Sequence, residues 1–381
     1  MNQGAGQFCV TILAGEASGD QHGAKLVSAM QKKTRSLFFC GMGGEALKRA
    51  GVRIVVETSK LTVVGITEVF VKIPAILKGM AKIKKLFISL KPDLLILIDF
   101  PDFNLHIAAA AKKLDIPVLY YISPQIWAWR QGRAKRISQL VDHMAVILPF
   151  EQRFYKEYSV PVTFVGHPLL DTDLPPAEAV LKADPNVPPV IGLLPGSRDI
   201  EIIRHLPVML DSADILTERL EQVTFIVSHA PSVEHKRIQA VIERHHLRAK
   251  VEVISGGVEK VLERCDAIVA ASGTVTLQAA IYGTPMVIIY KVSPLSAWLG
   301  KILIRVPNIG LVNLVAGREL VPELLQENAT GDNIAQAIQK MLKDEEEFHH
   351  LKHQLIALRD MLGGSGASER VADLALEMLT R

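Results

Sequence analysis

Short apolar runs alternate with longer amphipathic stretches along most of this 381-residue chain. Strands buried in a parallel sheet have this apolar character, and helices that cover both faces of the sheet fill the intervals. The alternation stops in the proline-rich interval 166–188 and then restarts. It therefore predicts an α/β protein with two doubly wound parallel sheets. The predicted strands are Phe8–Ala14, Ser36–Cys40, Leu94–Asp99, Pro117–Tyr121, His143–Ile147 and Pro161–Val165, then Val190–Leu194, Val223–Val227, Val251–Ile254, Ala267–Ala271 and Met286–Tyr290.

The proline-rich interval also predicts the domain boundaries. We expect an amino-terminal domain over residues 1–168, a linker over 169–188 and a carboxyl-terminal domain over 189–362, with a cleft between the two domains. Residues 363–381 open with a Gly-Gly-Ser-Gly turn and continue as a helix, which we expect to pack back on the amino-terminal domain.

Charge is unevenly distributed along the chain. Residues 1–165 contain 22 Lys and Arg against 12 Asp and Glu, whereas residues 166–381 contain 21 against 28. A basic half indicates an anionic partner, such as a lipid phosphate, a membrane surface or a nucleic acid. We favour the first two and expect no nucleic acid partner, because no nucleic-acid-binding motif accompanies the charge.

Other features of the composition exclude several classes of protein. The 3 cysteines have no metal-ligand or disulfide spacing, which fits a reducing compartment, so we predict neither a metal nor a cofactor. The amino-terminal apolar run is typical of a first strand and lacks the pattern of a signal peptide, and no apolar stretch is long enough to span a bilayer.

Residues 71–91 combine an apolar helical face with six lysines and no acidic residue. A basic amphipathic helix of this kind can lie on an anionic membrane surface, and an apolar stretch at Leu295–Val306 would widen that surface. A helix packed on the core with a solvated lysine face would have the same pattern, so both interpretations stay open. The candidate membrane residues are Lys78, Lys82, Lys84, Lys85 and Trp298.

Two turns of the first half follow predicted strands and carry acidic side chains. Gly15-Glu-Ala-Ser-Gly-Asp20 lacks the glycines of GxGxxG, and Glu16 would repel a pyrophosphate, so we expect this turn to hold substrate hydroxyl groups. Asp99-Phe-Pro-Asp-Phe-Asn104 places a carboxylate at the end of a buried strand, where a catalytic base is expected. The alternative is helix capping, by Ser18 or Asp20 in the first turn and by Asp102 in the second.

Aromatic and cationic residues are concentrated in Ser123-Pro-Gln-Ile-Trp-Ala-Trp-Arg130. Trp127 and Arg130 suit a sugar face or a phosphate, although the tryptophans could equally pack the domain.

Two turns of the second half are of a phosphate-binding type. Leu194-Pro-Gly-Ser-Arg198 and Ser272-Gly273-Thr274 each follow a predicted strand and open a helix, where free backbone N–H groups are available. Either turn alone could be an ordinary connection with a capping residue. Two in one sheet favour a site for a nucleoside diphosphate, with Ser197 and Arg198 on one side.

These motifs, together with Gly166-His-Pro and the segment 307–321, occur in order from residue 13 to about residue 328. Their joint pattern resembles the lipid-A-disaccharide synthase family. The resemblance implies a GT-B glycosyltransferase with two Rossmann-like domains. It also implies an inverting transfer from UDP-2,3-diacylglucosamine to 2,3-diacylglucosamine 1-phosphate (lipid X), which releases UDP and gives a β(1→6) disaccharide in lipid A biosynthesis.

The resemblance also implies roles for individual residues. Asp99 would be the general base, Glu16 the alternative base or an acceptor ligand, and Arg198 the group that meets the UDP diphosphate. The substrate-binding set is Ser18, Asp20, Asp102, Asn104, Trp127, Arg130, Ser197, Ser272, Gly273, Thr274, Gln278 and Asn313. The expected location is cytoplasmic and peripheral to the inner membrane, and a homodimer is a further hypothesis.

Two positions depart from common glycosyltransferase patterns. Gln278 stands where a glutamate often binds the ribose hydroxyls, and an amide lacks the charge-assisted strength of a carboxylate. Asp171-Thr-Asp173 spells a DxD but lies in the proline-rich interval, so we interpret it as a loop acid pair.

Three other functions compete with this hypothesis. A related GT-B enzyme could transfer or epimerise a UDP-sugar on a soluble substrate, without an acyl-binding surface. A non-catalytic nucleotide-binding module would leave Asp99 unexplained, and a nicotinamide oxidoreductase is weakened by the missing GxGxxG.

Overall fold

The computed structural model describes residues 7–58, 66–172, 174–176, 187–245, 247–294, 297–298, 300 and 306–380, with the backbone alone at 66–72. The chain divides into two compact units, Met1–Thr172 with Leu362–Arg381 and Asp173–Met361.

The described part of the first unit contains a seven-stranded parallel sheet. Its strands are β1 (Phe8–Ala14), β2 (Leu37–Gly43), β3 (Arg53–Glu57), β4 (Leu94–Ile98), β5 (Val118–Tyr121), β6 (His143–Val146) and β7 (Val162–Phe164). They lie in the order β3-β2-β1-β4-β5-β6-β7. The helices of this unit are α1 (Ala17–Lys33), α2 (Glu45–Arg49), α3 (Ile66–Leu90), α4 (Pro101–Lys112), α5 (Ile126–Trp129), α6 (Ala134–Leu140) and α7 (Pro149–Glu157), with short 3-10 turns at Gln131–Arg133 and Pro168–Asp171.

The described part of the second unit contains a six-stranded parallel sheet. Its strands are β8 (Val190–Leu194), β9 (Thr224–His229), β10 (Val251–Ser255), β11 (Ala267–Ala271), β12 (Met286–Tyr290) and β13 (Glu323–Leu325), in the order β10-β9-β8-β11-β12-β13. Its helices are α8 (Asp199–Arg219), α9 (His235–His245), α10 (Glu259–Leu262), α11 (Val275–Ile281), α12 (Leu311–Ala316), α13 (Gly331–Lys343) and α14 (Glu345–Met361). The chain then returns to the first unit as α15 (Ala367–Thr380).

Both faces of each sheet are covered, which is why the central strands are apolar throughout. All five residues of β4 and all five of β11 are buried. In the first unit, separate apolar clusters form on the two faces of the sheet, and α15 contributes Val371, Ala372 and Ala375 to one of them. The predicted class of two doubly wound parallel sheets is therefore confirmed.

The order of strands reverses once in each sheet. In the first unit the reversal lies between β1 and β4, and in the second it lies between β8 and β11. Connections from two such strands leave toward opposite faces, so a crevice opens at their carboxyl ends, where ligands of doubly wound folds bind.

The structure adds two strands that the apolar pattern did not predict, β3 and β13. Both are the outermost strands of their sheets, and both carry charged residues, because an outer strand is less fully buried than a central one.

The structure describes parts of the predicted basic helix, of the apolar stretch after it and of the acidic pair. Lys78, Lys82, Lys84 and Lys85 are exposed on α3, which contains Pro74. Most of the stretch Leu295–Val306 lies outside the described residues, although Trp298 is described and is 61% exposed. Asp173 also lies outside them. Among the described residues, no helix combines the length and the apolar character needed to cross a membrane.

Candidate functional site

The crevice of the first unit is built where β1 and β4 end side by side. The Phe100 ring lies over the Cα of Gly15, and a Cβ at Gly15 would be 2.1 Å from the ring carbon Cγ. Only glycine therefore fits between the end of β1 and this ring. The packing sets the turn that begins with Glu16 against the turn that begins with Asp99.

Asp99 has an unusual backbone and a perturbed carboxyl group. Asp99 and Phe100 both adopt left-handed conformations, with φ of 43° and 48°. Burial, followed by the negative charge of Glu16, raises the pKa of Asp99 to about 6. A carboxylate with such a pKa is better matched to accept a proton near neutral pH than an ordinary aspartate.

The strained turn at Asp99 is held by buried hydrogen bonds to its carbonyl oxygen. The Asn104 amide Nδ2 donates to this oxygen at 2.6 Å, and the Tyr120 hydroxyl donates to it at 2.6 Å. Asn104 is fully buried, and in the described residues its Oδ1 has no hydrogen-bond partner. Asn104 therefore supports the Asp99 turn from beneath.

The three polar residues of the first turn have different environments. Glu16 and Ser18 are exposed, and Glu16 is the first residue before α1. Asp20 is buried, and its carboxylate accepts the backbone N–H groups of Gly44 at 2.6 Å and Ala46 at 2.9 Å. Asp20 thus caps α2 and not its own helix, so its oxygens are already engaged.

Trp127 is packed inside the first unit. Its indole Nε1 donates to the buried Glu151 carboxylate at 3.0 Å, and its ring makes an edge contact with Phe150. Burial raises the pKa of Glu151 to about 7. Glu151, which the sequence did not single out, therefore anchors the Trp127 segment, and Trp129 is the tryptophan of this segment with an exposed ring.

Cations of the same segment reach Asp102. The Arg133 guanidinium pairs with Asp102 at 2.7 Å, and Arg130 lies 3.9 Å from the same carboxylate and over the Trp129 ring. In the described residues no side chain caps α4, so the capping alternative for Asp102 is wrong. Asp102 instead orients two arginines at the surface.

The crevice of the second unit contains a pocket of about 350 Å³, which we call the turn pocket. Ser197, Arg198, Ser272–Thr274 and Gln278 line it together with Val258. A Cβ at Gly273 would meet open space, so the middle of the second turn faces an unfilled volume. The structure therefore brings together six of the residues that the sequence assigned to a nucleotide.

An internal carboxylate occupies the first phosphate-type turn. Glu201 accepts the backbone N–H groups of Ser197 at 2.8 Å and Arg198 at 3.2 Å, and it pairs with the Arg198 guanidinium at 2.9 Å. These contacts form a capping box at the start of α8, so the capping alternative for this turn holds in the structure. The Glu at the third helical position after the turn was the available sequence signal.

A second unpredicted carboxylate lies beside Gln278. The Gln278 amide Nε2 donates to Glu259 of α10 at 2.5 Å. The other oxygen of Glu259 would be 2.1 Å from a Cβ at Gly257, so this arrangement requires glycine there. A carboxylate from a different helix thus contacts the Gln278 amide, which periodicity alone could not reveal.

Asn313 is buried and uses its hydrogen-bonding groups within the protein. Its amide donates to Val321 O and to the Glu323 carboxylate, both at 2.8 Å, and its oxygen accepts from Leu320 N at 2.8 Å. Asn313 therefore fixes the segment around α12. Among the described residues, no group of three or more His, Cys, Asp or Glu side chains could hold a metal ion.

Solved structures with the same architecture have low sequence identity to this chain. A UDP-GlcNAc 2-epimerase from Neisseria meningitidis, bound to UDP-GlcNAc, matches with a TM-score of 0.64 at 12% identity, over 97% of this chain and 99% of that one. MurG from Acinetobacter baumannii matches with a TM-score of 0.59 at 15% identity, over 97% and 99%. These likenesses concern the fold alone, and they confirm the GT-B class.

Sequence comparison identifies the family. A family model described as lipid-A-disaccharide synthetase matches residues 10–377. A lipid-A-disaccharide synthase from Geobacter metallireducens is 48% identical over 377 residues, which cover 97% of each protein. The chain therefore belongs to the lipid-A-disaccharide synthase family of glycosyltransferases.

Proposed function

We propose that the protein transfers the 2,3-diacylglucosaminyl group of UDP-2,3-diacylglucosamine to the 6-hydroxyl of lipid X with inversion. The bond from the anomeric carbon to UDP breaks, the bond to the acceptor oxygen forms, and the hydroxyl proton moves to a protein carboxylate. The observation that carries this proposal is the half-buried Asp99 carboxyl, which follows β4 at the switch point of a parallel sheet and has its pKa raised to about 6.

Asp99 acts as the general base in this proposal. An alcohol is a poor nucleophile at neutral pH, and a positioned base typically contributes about 10²- to 10⁴-fold in rate. With a pKa of about 6, Asp99 is still mostly ionised at neutral pH and is a stronger base than an exposed aspartate. Glu16, exposed beside it, binds acceptor hydroxyl groups with Ser18 and remains the alternative base.

The remaining candidates of the first unit divide into ligands and supports. Arg130, with its guanidinium partly exposed over Trp129, is suited to the acceptor phosphate. Asp102 orients it. The Asp20 carboxylate, the Asn104 amide Nδ2 and the Trp127 indole Nε1 bond to groups inside the protein, so we assign these three residues to positioning.

UDP binds in the turn pocket of the second unit. Arg198, Ser197 and the turn 272–274 meet the diphosphate, which displaces Glu201 from the turn. Gln278, which lines the pocket, binds the ribose hydroxyl groups, and Glu259 orients its amide by accepting a hydrogen bond from Nε2. Asn313 supports the pocket from the neighbouring segment.

The lipid nature of both substrates calls for a membrane surface. We propose that the protein works at the cytoplasmic side of the inner membrane through α3, where the exposed apolar residues Leu77 and Ile88 flank the exposed lysines. Trp298 is a second apolar contact. The proposal includes no nucleic acid partner, and sedimentation of the full chain would test whether it forms a homodimer.

Incubation of the protein with UDP-2,3-diacylglucosamine and lipid X tests the proposed reaction directly. Mass spectrometry should detect the disaccharide 1-phosphate together with an equal amount of UDP. UDP-GlcNAc alone, and UDP-GlcNAc with a soluble sugar acceptor, are the control reactions. Turnover of these soluble substrates without disaccharide from the lipid pair would contradict the proposal and favour an epimerase or another UDP-sugar transferase.

A further inference from the structure

A second cavity, of about 620 Å³, opens beyond the ends of β12 and β13. The side chains of Val292, Val306, Pro307, Ile309 and Leu325 give much of its described lining an apolar character, and Glu327 is the charged residue of that lining. We call it the apolar cavity. Its volume lies within the range of roughly 300–1,000 Å³ that is usual for small-molecule sites.

The apolar cavity and the turn pocket share a wall. Ser272 lines the turn pocket, and its hydroxyl donates to the carbonyl oxygen of Ile309, which lines the apolar cavity, at 3.2 Å. The backbone N–H of Ser272 also donates to Ile289 of β12 at 3.0 Å. A ligand anchored by phosphates at Ser272 therefore has the apolar cavity next to it along the same edge of the sheet.

Buried hydrogen bonds hold the two sites in one frame. His205 is 1% exposed, and its ring spans from Pro195 O, at 2.9 Å from Nδ1, to the Lys291 N–H, at 3.1 Å from Nε2. The imidazole thus ties the turn after β8 to the end of β12. On the other side, Glu323 accepts the N–H of Ile309 at 2.8 Å.

We propose that the apolar cavity receives an acyl chain of the donor sugar nucleotide, an inference that rests on the proposed binding of UDP in the turn pocket. The diphosphate would lie at Ser272, the sugar would follow it along the sheet edge, and a chain attached to the sugar would enter the space lined by Val292 and Leu325. Because His205 and Glu323 hold the segments of Lys291 and Ile309 in place, the wall next to the turn pocket is already formed before the chain enters, which reduces the entropic cost of binding.

The expected consequence is a dependence of donor affinity on chain length. Each methylene transferred fully from water to an apolar site tightens binding by roughly fourfold. The test compares an octanoyl UDP-diacylglucosamine, as the long-chain donor, with its butyryl analogue, both without detergent and below the concentrations at which they form micelles. Val292→Trp and Val306→Trp fill the cavity from two sides, and Leu114→Trp, at an exposed apolar position of the first unit, is the matched control.

Titration with UDP alone serves as the check of the turn pocket and of folding. We expect both cavity variants to weaken binding of the long-chain donor by at least about tenfold, while the butyryl donor and UDP bind as in the wild type. Leu114→Trp should change none of the three affinities. If one cavity variant loses UDP binding through misfolding, the donor affinities of the other variant provide the test.

Two results would overturn the inference. If variants that bind UDP normally also bind both donors normally, the chain stays outside the cavity. If these variants weaken the binding of both donors equally, the cavity does not distinguish between donors of different chain length. Failure of the wild type to bind UDP would instead remove the proposed function on which the inference rests.

Discussion

At the scale of single residues, Asp99 is the position where activity and stability should change in opposite directions. Asp99→Asn removes the base but tolerates the left-handed backbone, because asparagine is among the residues that most readily adopt positive φ. We expect kcat to fall at least about 100-fold with UDP affinity unchanged. Asp115→Asn, at an exposed left-handed aspartate with φ of 54°, is the matched control and should keep full activity.

The raised pKa of Asp99 gives this prediction a dependence on pH. In the wild type, kcat/KM should rise as the pH passes through about 6 and Asp99 ionises. Folding disfavours the ionised carboxyl, so its contribution to stability falls as the pH rises from about 4 to about 6. Asp99→Asn should therefore unfold at a higher temperature than the wild type at neutral pH but not at pH 4. Full turnover of Asp99→Asn, with loss of activity in Glu16→Gln, would reverse the two roles.

Arg198 and Glu201 form a second pair of residues whose substitution should have opposite effects. Arg198→Ala should lower kcat/KM by roughly 10²-fold, because the cation meets charge that develops on the departing diphosphate. Glu201→Gln removes a negative charge from the same turn and should tighten UDP binding several-fold, since like charges repel at short range. Arg219→Ala, on the same helix, is the control. Arg198→Ala activity within about threefold of wild type would contradict the assignment.

The positions of the candidate residues at strand ends could be predicted from sequence, but most of their partners could not. Asp99 follows an apolar run, and that run predicts the buried strand before it. The position of Glu201 three residues after the turn is a sequence signal for its contacts, whereas the contact of Glu259 with Gln278 joins two helices and has no such signal. Trp127 illustrates the same limit, because the sequence does not show whether its indole contacts a ligand or the Glu151 carboxylate.

At the scale of elements, α3 makes the proposed membrane contact testable. Lys78, Lys82, Lys84 and Lys85 are exposed, while Ile83 and Phe87 pack in the core. Each basic residue near an anionic surface contributes about 1 kcal/mol, so changing the four lysines to Gln should release the protein from anionic vesicles at low salt. The control replaces four exposed lysines elsewhere in the first unit, at positions 32, 113, 135 and 156. Equal co-sedimentation of both variants with the wild type would mean that α3 is only solvated.

Element prediction from the sequence succeeded for the buried central strands, whereas among the outermost strands it found β7 and β10 and missed β3 and β13. The fully apolar β11 has the predicted bounds, and β4 ends one residue before its predicted end. The outer strands β3 and β13 contain charged residues, so their apolar pattern is too weak to separate them from loops. The helical pattern of α3 was visible, but not that Leu77 and Ile88 would remain exposed.

At the scale of the whole molecule, the chain leaves the first unit after Thr172 and returns to it at Leu362. Asp171 joins these two crossings, because its carboxylate accepts the backbone N–H groups of Gly366 at 2.7 Å, Ala367 at 3.0 Å and Ser368 at 3.0 Å. This cap of α15 corrects the interpretation of Asp171 as part of a loop acid pair. The sequence could not reveal it, since the partners are 195 or more positions apart.

Removal of this cap should destabilise the first unit without changing the second. Asp171→Ala should lower the free energy of unfolding by about 1–3 kcal/mol, because three backbone donors at the start of α15 lose their acceptor. Partial burial acts to raise the pKa of Asp171, but the hydrogen bonds from Ser368, Ala367 and Gly366 outweigh it and hold the pKa below its ordinary value.

The lowered pKa of Asp171 sets the pH at which the difference should disappear. The stabilisation is fully present above the unfolded pKa of about 3.9 and is lost as the pH falls through the lower folded value. Thermal unfolding of Asp171→Ala and wild type should therefore differ at pH 7 and converge in strong acid. Glu369→Ala, exposed on the same helix, should stay within about 0.5 kcal/mol of wild type. UDP affinity should be equal in all three proteins at pH 7, and a difference that persists unchanged in strong acid would show that Asp171 acts through packing instead of its charge.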